Sequence, residues 1–316
     1  MPLNNIPIGI SSCLTGNEVR FDGSHKLNRY IMQTLGQYFD FVRYCPEVAI
    51  GMSVPRPPIR LVNIDGHIKA RGVKDPSLDV TQALIEYAES VAPACNDLSG
   101  YIFKSKSPSC GMERVKVYSE AGQPSDSGSG LFAGTIMQEH PSLPIEEEGR
   151  LMDPTLRENF IERVFIYHRW REYVAEGLTP GKLVEFHSRH KFNVLAHDEP
   201  IYRELGRVVA DAGNGKIEQT ASTYITLLMS GLKKRTTRNK HVNVLQHIMG
   251  FIKNHLSTDD KQELLQIIKD YHKGVVPLIV PITLIKHYLR LHPDDYISSQ
   301  YYLNPHPKEL SLLNHI

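Results

Sequence analysis

Three of the four cysteines follow short apolar segments that are typical of β-strands. Cys13 ends the stretch 8–13, Cys45 follows residues 41–44, and Cys110 ends the stretch 101–110. Each therefore stands just past the carboxyl end of a predicted strand, and in open α/β sheets ligands bind at that edge. These positions predict that three thiols, far apart in sequence, converge in space.

Three converging thiols would narrow the kind of metal site. Structural zinc takes four protein ligands, whereas an iron–sulfur cluster held by three thiolates leaves one iron open. The spacings themselves form no motif, so three separate buried cysteines and a zinc site remain alternatives at this point. We expect Cys95, which follows a predicted helix, to be a buried bystander.

Composition limits the classes of protein that the chain can belong to. The 316 residues are 41% hydrophobic and 22% charged, which indicates a globular protein of about two domains and excludes a disordered or fibrous chain. A net charge of +1 excludes a strongly basic nucleic-acid binder. We see no signal peptide, and the most apolar stretch, 275–285, is too short to span a bilayer. A cytoplasmic protein with no membrane partner is predicted.

The elements that must position these cysteines differ between the two halves. Strands are predicted at 6–10, 39–44 and 101–104, and a hairpin turns at Asp65-Gly66. A helix is predicted at 79–91 with Asp79 as its N-cap, and 122–130 is predicted to be a loop. The fold class is therefore α/β, an open, mostly parallel sheet with the cluster site at the strand carboxyl ends, followed by an all-α domain. The predicted boundaries are 1–150, a connecting helix 151–175, and 176–316.

The cysteine motifs resemble those of the thiouracil desulfidase family. The resemblance rests on three motifs that occur in the same order along the chain. They are the predicted strand that ends in residues 11–16, Cys45-Pro46-Glu47 with the Pro-rich loop 55–58, and the stretch 104–111. The second half, at 182–191, 202–207 and 237–247, resembles a helical domain that is often fused to the first. The fused architecture resembles the tRNA 4-thiouridine desulfidases.

This resemblance implies a cofactor and a reaction. Cys13, Cys45 and Cys110 would bind a 4Fe–4S cluster through three protein thiolates, with one open iron that binds the thio sulfur of the substrate. Iron would act as a Lewis acid while water attacks the ring carbon, so that hydrolysis without redox chemistry gives uridine. The substrate partner would be tRNA, and no separate protein partner is implied.

Four further residues are candidates for catalytic roles. Glu47, two residues from Cys45, is the candidate general acid/base. The alternative is that Glu47 is a loop carboxylate that caps the next helix. Lys104 could polarise the pyrimidine or hold a phosphate. The alternative is that it is a solvated lysine without a role in the site. Ser107 and Ser109 could hydrogen-bond the base or orient water. The alternative is that both are ordinary serines of a turn.

Cations and histidines suggest where tRNA would bind. Residues 151–316 carry 22 basic and 18 acidic side chains, against 14 and 17 in residues 1–150. No acidic residue lies between Gln219 and Leu256, and this stretch contains the densest run of cations. The predicted tRNA contacts are Lys233, Lys234, Arg235, Arg238 and Lys240, with His187 and His190 on a helical stripe and Arg56 in the Pro-rich loop. A solvated helix end and a buried polar network are the alternatives.

The leading hypothesis is removal of sulfur from 4-thiouridine in tRNA. Phosphate contacts by the second half would help to offset the cost of extruding the base. One alternative is a desulfidase of free thiouracil or thionucleosides. Another is a non-enzymatic RNA-binding protein with a structural metal.

Overall fold

The computed structural model describes residues 6–310 and 312–314, and the chain divides into two compact units between Met152 and Asp153. The first unit contains two sheets with flanking helices, and the second is helical in its described part. The predicted order of an α/β unit followed by an all-α unit is confirmed. The strands are β1 (Ile6–Ser11), β2 (Phe39–Tyr44), β3 (Ile59–Ile64), β4 (His67–Gly72), β5 (Gly100–Phe103), β6 (Val115–Tyr118), β7 (Pro124–Gly128) and β8 (Ile145–Glu147).

The first sheet has the strand order β2-β1-β5-β8, and every neighbouring pair is parallel. Ile10 lies opposite Arg43 on one side and Ile102 on the other. Because these strands run in one direction and in close register, their carboxyl ends lie along one edge of the sheet. The predicted parallel sheet is confirmed, and the segments that follow its strands start from the same edge.

A glycine allows the two central strands to pack tightly against aromatic side chains. A Cβ added at Gly9 would lie 2.3 Å from Cδ2 of Tyr101, so no larger residue fits without displacing that ring. Tyr101 stacks on Phe103 with ring centroids 4.0 Å apart and on Tyr44 at 5.8 Å. These stacked rings, of which Tyr101 and Phe103 are buried, pack β2 and β5 together beneath the edge that carries the cysteines.

The second sheet has the order β4-β3-β6-β7 and is mixed. β3 and β4 form the predicted hairpin, and Asp65 and Gly66 adopt φ values of 50° and 82° at its turn. Two positive φ values are what a two-residue turn between right-twisted strands requires. The hairpin is confirmed, and the sheet extends the first unit beyond the parallel strands.

Two local predictions in the first unit are wrong. The region 122–130 contains β7, which pairs antiparallel with β6 at the edge of the second sheet, so ladder hydrogen bonds outweigh its loop-like composition. Asp79 is not the N-cap: the helix begins at Thr81 after Val80, although Asp79 Oδ1 still accepts a hydrogen bond from the Thr81 amide at 3.0 Å. The helices of this unit are α1 (Arg29–Gln33), α2 (Pro46–Ala49), α3 (Thr81–Cys95) and α4 (Leu131–Glu139).

The second unit is built from amphipathic helices around buried aliphatic and aromatic side chains. Its first helix begins at Pro154 after the N-cap Asp153, whose carboxylate accepts from the amides of Thr155 and Leu156, and it occupies residues 154–175 of the predicted connecting segment 151–175. No helix in the described part of the chain is long and apolar enough to cross a membrane. The helices are α5 (Pro154–Ala175), α6 (Pro180–His197), α7 (Glu199–Ala210), α8 (Ile217–Leu232), α9 (Arg238–Ile252), α10 (Thr258–His272), α11 (Ile279–Leu291) and α12 (Asp295–Ser298).

Candidate active site

A cavity of about 390 Å³ lies at the carboxyl edge of the parallel sheet, and the three predicted thiols line it. Cys13 sits in the 3-10 turn Ser12–Thr15 directly after β1. Cys45 lies between β2 and α2, and Cys110 lies in the irregular stretch that follows β5. The shared edge of three parallel strands therefore brings Cys13, Cys45 and Cys110 into one cavity, as the sequence predicted.

The loop that carries Cys110 is held by hydrogen bonds to its own backbone and to α4. Ser107 Oγ accepts from the amides of Cys110 at 3.1 Å and Ser109 at 3.3 Å. The Gly130 amide, just before α4, donates to the carbonyl of Gly111 at 2.8 Å. A Cβ at Gly130 would lie 2.5 Å from the carbonyl carbon of Ser109, so glycine is required for this close approach. The predicted contact of Ser107 with a substrate base remains a prediction, while its structural role is clear.

Burial sets the protonation of the three thiols. It raises the pKa of Cys13 to about 11, raises that of Cys45, and raises that of Cys110 well above its ordinary value. The three thiols also influence one another, because a charge on Cys45 raises the pKa of both Cys13 and Cys110. Without a cation the thiols are therefore neutral at pH 7, and a bound metal would favour the thiolates.

The fourth thiol lies apart from this group. Cys95 is the last residue of α3, is buried, and does not line the cavity. Burial raises its pKa to about 11, so it is unreactive at neutral pH. The position fits the predicted bystander, although the residue ends the helix itself rather than following it.

Glu47 is held from two sides at the cavity wall. Arg56 Nε donates to Glu47 Oε2 at 2.8 Å, and Ser109 Oγ donates to Oε1 at 2.7 Å. Arg56 also donates to the carbonyls of Val19 and Ser53, which ties the Pro-rich loop to the site. Arg56 is thus a buried ion-pair partner of Glu47, a position that does not fit the predicted contact with tRNA. Ser109 is buried beneath Glu47 and does not line the cavity.

Lys104 lies in the cavity with its charge already compensated. Its Nζ donates to Glu148 Oε1 and, at 3.0 Å, to the hydroxyl and the carbonyl of Ser105. Its backbone amide donates to Ser11 Oγ at 2.9 Å. The lysine is therefore paired and only partly exposed, and Glu148 is an acidic residue of the site region that sequence reasoning missed.

Sequence reasoning also missed one whole wall of the cavity. Residues 17–26, hereafter the wall segment, contribute Val19, Arg20, Phe21 and Lys26 to its lining. The Lys26 amide donates to the carbonyl of Cys13 at 2.8 Å, which folds the segment back over the site. The Asp22-Gly23 pair signals a turn, but nothing in the sequence indicates what that turn covers.

The cysteines do not form a site for a single ion. Among residues 6–310 and 312–314, no three His, Cys, Asp or Glu side chains are arranged to hold one metal ion. A single ion needs all its ligand atoms at bonding distance from one centre, whereas the three thiolates of a cubane cluster bind three different iron atoms.

In the second unit, the basic segment (residues 233–240) divides into anchoring and exposed cations. Lys234 pairs with Asp198, and Lys240 Nζ donates to the carbonyl of His197. Arg235 and Arg238 are exposed, as is Lys233, whose pKa partial burial lowers. Lys234, although its side chain is 58% exposed, and Lys240 make contacts that help to hold the segment in place, while Lys233, Arg235 and Arg238 are also exposed.

The predicted histidine contacts with tRNA are not supported by burial. His190 is fully buried, with its ring stacked between Phe186 and Tyr301 and its Nδ1 bonded to the Phe186 carbonyl. His187 lies 3.2 Å from the Tyr224 hydroxyl, and burial lowers its pKa to about 4, so it is uncharged at neutral pH. Both belong to the alternative that the sequence left open, a buried polar network.

The comparisons identify the families of both units. Residues 8–148 match the 2-thiouracil desulfurase family, and residues 191–307 match a family described as a protein of unknown function, DUF1722. The chain belongs to the 2-thiouracil desulfurase family through its first unit, fused to a DUF1722 domain. The family resemblance predicted from the cysteine motifs is confirmed.

Two curated relatives and one solved structure are similar to parts of the chain. The uncharacterized protein YbgA of Escherichia coli (strain K12) is 34% identical over 151 residues, which cover 48% of this chain and 89% of that protein. The uncharacterized protein YbbK of Bacillus subtilis (strain 168) is 31% identical over 135 residues, covering 41% and 88%. The structure of the [4Fe-4S]-dependent thiouracil desulfidase TudS is 26% identical and covers 47% of this chain and 95% of its own, with a TM-score of 0.36.

Proposed function

We propose that the protein removes sulfur from 4-thiouridine in tRNA and gives uridine, using a 4Fe–4S cluster held by Cys13, Cys45 and Cys110. The observation that carries the proposal is the presence of these three thiols in one cavity at the carboxyl edge of the parallel sheet. Membership of the 2-thiouracil desulfurase family supports the reaction type. The extension from thiouracil to a base within tRNA rests on the second unit.

The donor set suits the proposed cluster. Among the described residues, three thiols line the cavity, and a 4Fe–4S cluster that they held would keep one iron for the substrate sulfur. When bound, the cluster supplies a Lewis acid that withdraws electrons from the C–S bond. Lys104 and Arg20 lower the pKa of Cys13 against the effect of burial, so nearby cations favour the thiolate state that a cluster needs.

Glu47 is the residue best placed to accept a proton from the attacking water. It lines the cavity beside Cys45, and its two oxygens accept hydrogen bonds from Arg56 and Ser109. The ion pair with Arg56 and the hydrogen bond from Ser109 fix the orientation of the carboxylate. Each oxygen keeps a further acceptor position, so a water molecule can still bind to Glu47. Lys104, whose charge Glu148 compensates, would orient the base rather than hold a phosphate.

The exposed cations of the basic segment are the proposed contacts with tRNA phosphates. Arg235, Arg238 and Lys233 face solvent, and Lys234 and Lys240 fix the backbone that presents them. Phosphate contacts position a folded RNA without reading its sequence. They would also help to offset the few kcal/mol that extrusion of a base requires.

One observation favours the alternative substrate, a free thiopyrimidine. The cavity of about 390 Å³ lies near the lower limit for small-molecule sites, and a cluster on the three thiols would take part of that volume, so its size suits a ligand no larger than a base or nucleoside. Desulfuration of free thiouracil or a thionucleoside would need nothing from the basic segment. The two substrates are therefore separated by competition between tRNA and the nucleoside.

The test uses the full chain reconstituted anaerobically with iron and sulfide. It is incubated with thiolated tRNA, and 4-thiouridine and uridine are quantified by mass spectrometry after digestion. Cys110→Ser is compared with Cys95→Ser, which changes a buried thiol of the same unit outside the cavity. We expect conversion by the wild type and by Cys95→Ser, and loss of iron and of activity in Cys110→Ser.

Three outcomes contradict parts of the proposal. Full iron content in Cys110→Ser would rule out the ligand assignment. Persistent 4-thiouridine in tRNA, with the cluster present and free 4-thiouridine converted, would leave the nucleoside as substrate. Tight tRNA binding by protein that takes up no iron would favour the non-enzymatic RNA-binding alternative.

A further inference from the structure

One aromatic side chain in the cavity has no aromatic partner. Phe21 and Tyr44 are the aromatic residues in the lining, and Tyr44 already stacks on Tyr101 within the buried cluster. Phe21 is 39% exposed, and within residues 6–310 and 312–314 its ring contacts the Arg20 guanidinium, 5.5 Å from the ring centroid, but no other ring. A cation over one face of a phenyl ring leaves the other face for a planar ligand.

The backbone holds Phe21 rigidly. The Arg56 amide donates to the Phe21 carbonyl at 2.8 Å, and the Gly23 amide donates to the Arg20 carbonyl at 3.0 Å. Gly23 has a φ of 74°, a value that suits glycine in so tight a turn. Arg56 Nη2 also donates to the carbonyl of Val19, so the same arginine binds the wall segment on both sides of Arg20. An aromatic ring on such a fixed backbone loses little freedom when a ligand stacks on it.

The other apolar lining residues complete an environment for a flat heterocycle. Pro58 and Ile59 contribute carbon surface to the same cavity, and the thiols provide soft, polarisable atoms. A pyrimidine needs apolar contacts on its faces and polar groups at its edge. Glu47 and Lys104 are among the polar side chains that line the cavity.

We propose that Phe21 is the stacking surface that binds the thiolated pyrimidine ring in the cavity. This inference rests on the proposed function, because it names the residue that binds the base on which that function acts. Phe21 contributes affinity for the substrate and its orientation toward the thiols, and it takes no part in proton transfer. Arg20, held over the ring and paired with Asp22 at 3.4 Å, acts as a positioning residue for Phe21.

The test measures binding and turnover separately with 4-thiouridine as the probe. Phe21→Ala, Phe21→Tyr and the wild type are reconstituted as the full chain, and their iron content is matched. The control is Phe251→Ala, which removes a ring of similar exposure, 43%, from the second unit. For Phe21→Ala we expect Kd and KM to rise roughly ten-fold or more, since stacking on an aromatic ring contributes about that much per base. Phe251→Ala keeps both constants within about two-fold of the wild type, whereas Phe21→Tyr, which keeps an aromatic ring, loses less affinity than Phe21→Ala; in Phe21→Ala kcat falls by a smaller factor than KM rises.

Every other outcome contradicts a specific part of the proposal. Equal Kd values for the wild type and Phe21→Ala would overturn the stacking role. Loss of iron or of kcat in Phe21→Ala with an unchanged Kd would make the residue structural. A wild-type protein that binds 4-thiouridine in a Phe21-dependent way without converting it would overturn the proposed reaction and keep the stacking site. Absence of any binding by the wild type would overturn both.

Discussion

The guanidinium of Arg56 and the carboxylate of Glu47 form an ion pair at the cavity wall, with Nε 2.8 Å from Oε2. The Arg56 side chain is only 3% exposed and that of Glu47 14%, so water screens the pair weakly. A buried pair costs free energy to desolvate, and removal of one partner leaves the other charge uncompensated. Arg56 also binds two backbone carbonyls, which ties the charge of Glu47 to the position of the wall segment.

Substitution of Arg56 should therefore impair the site more than loss of one surface charge would. We expect Arg56→Gln to lower the turnover of 4-thiouridine about ten-fold or more. We also expect it to destabilise the protein by about 2 kcal/mol, a smaller loss than for a fully buried ion pair because Glu47 is partly exposed. Turnover and chemical denaturation measure the two effects. Arg60→Gln, which removes a guanidinium packed on Tyr118 outside the cavity, is the control. Wild-type kcat in Arg56→Gln would contradict the role given to the ion pair.

Gly130 should be essential for the position of Cys110. In Gly130→Ala the new Cβ meets the backbone of Ser109 at 2.5 Å, and backbone atoms cannot move as a side chain can. We expect the loop to shift and the iron content after reconstitution to fall well below one cluster per chain, with circular dichroism unchanged. In the control Gly128→Ala, the added Cβ meets Val117 Cγ2 at an ordinary 3.7 Å. Equal iron content in both variants would show that the loop tolerates the contact.

Charge removal from the basic segment should change the salt dependence of tRNA binding. Each phosphate contact contributes about 0.7–0.9 to the slope of log K against log salt. We expect the double variant Arg235→Gln/Arg238→Gln to bind tRNA more weakly at low salt, with a slope smaller in magnitude by about 1.4–1.8. Lys269→Gln, an exposed lysine on α10, serves as the control. An unchanged slope in the double variant, measured by fluorescence anisotropy, would place the tRNA elsewhere.

Glu158 should make stability fall as pH rises. Burial raises its pKa to about 8, and one carboxylate oxygen has no hydrogen-bond partner in the described structure. The folded state therefore keeps a proton that the unfolded chain loses near pH 4.5, so this contribution is full below about pH 4.5 and is lost as pH approaches 8. We expect Glu158→Gln to be more stable relative to the wild type at pH 8 than at pH 5, as measured by the urea midpoint. A constant difference across this range would mean that Glu158 is ionised in the folded protein.

The sequence allowed the convergence of the cysteines to be predicted because strand direction and strand ends can be read from local pattern. Because β1, β2 and β5 are parallel, the residues just after them lie along one edge of the sheet. Cys13, Cys45 and Cys110 are in these segments and are therefore brought to that edge. β7 was missed because its serines and glycines resemble a loop, and only pairing with β6 makes it a strand. Local composition does not contain that partner.

The partners of the charged residues could not be predicted in the same way. Arg56 was expected at the tRNA and lies against Glu47, nine residues earlier, because a loop reversal brings the two together. His190 shared a helical stripe with His187, but which stripe of α6 is buried depends on the helices packed against it. Periodicity identifies a face, and tertiary packing decides whether that face meets solvent.

The order in which the chain is synthesised has a consequence for metal loading. The three thiols come from segments that follow three different strands, and Cys110 is the last of them to leave the ribosome. A nascent chain that ends before β5 can pair β1 with β2, yet it contains only two of the three thiols of the site, Cys13 and Cys45. Any metal centre that uses all three can therefore assemble only after the long-range pairing of β1 with β5 is complete. Acquisition of iron would then report that the first unit has reached its native topology.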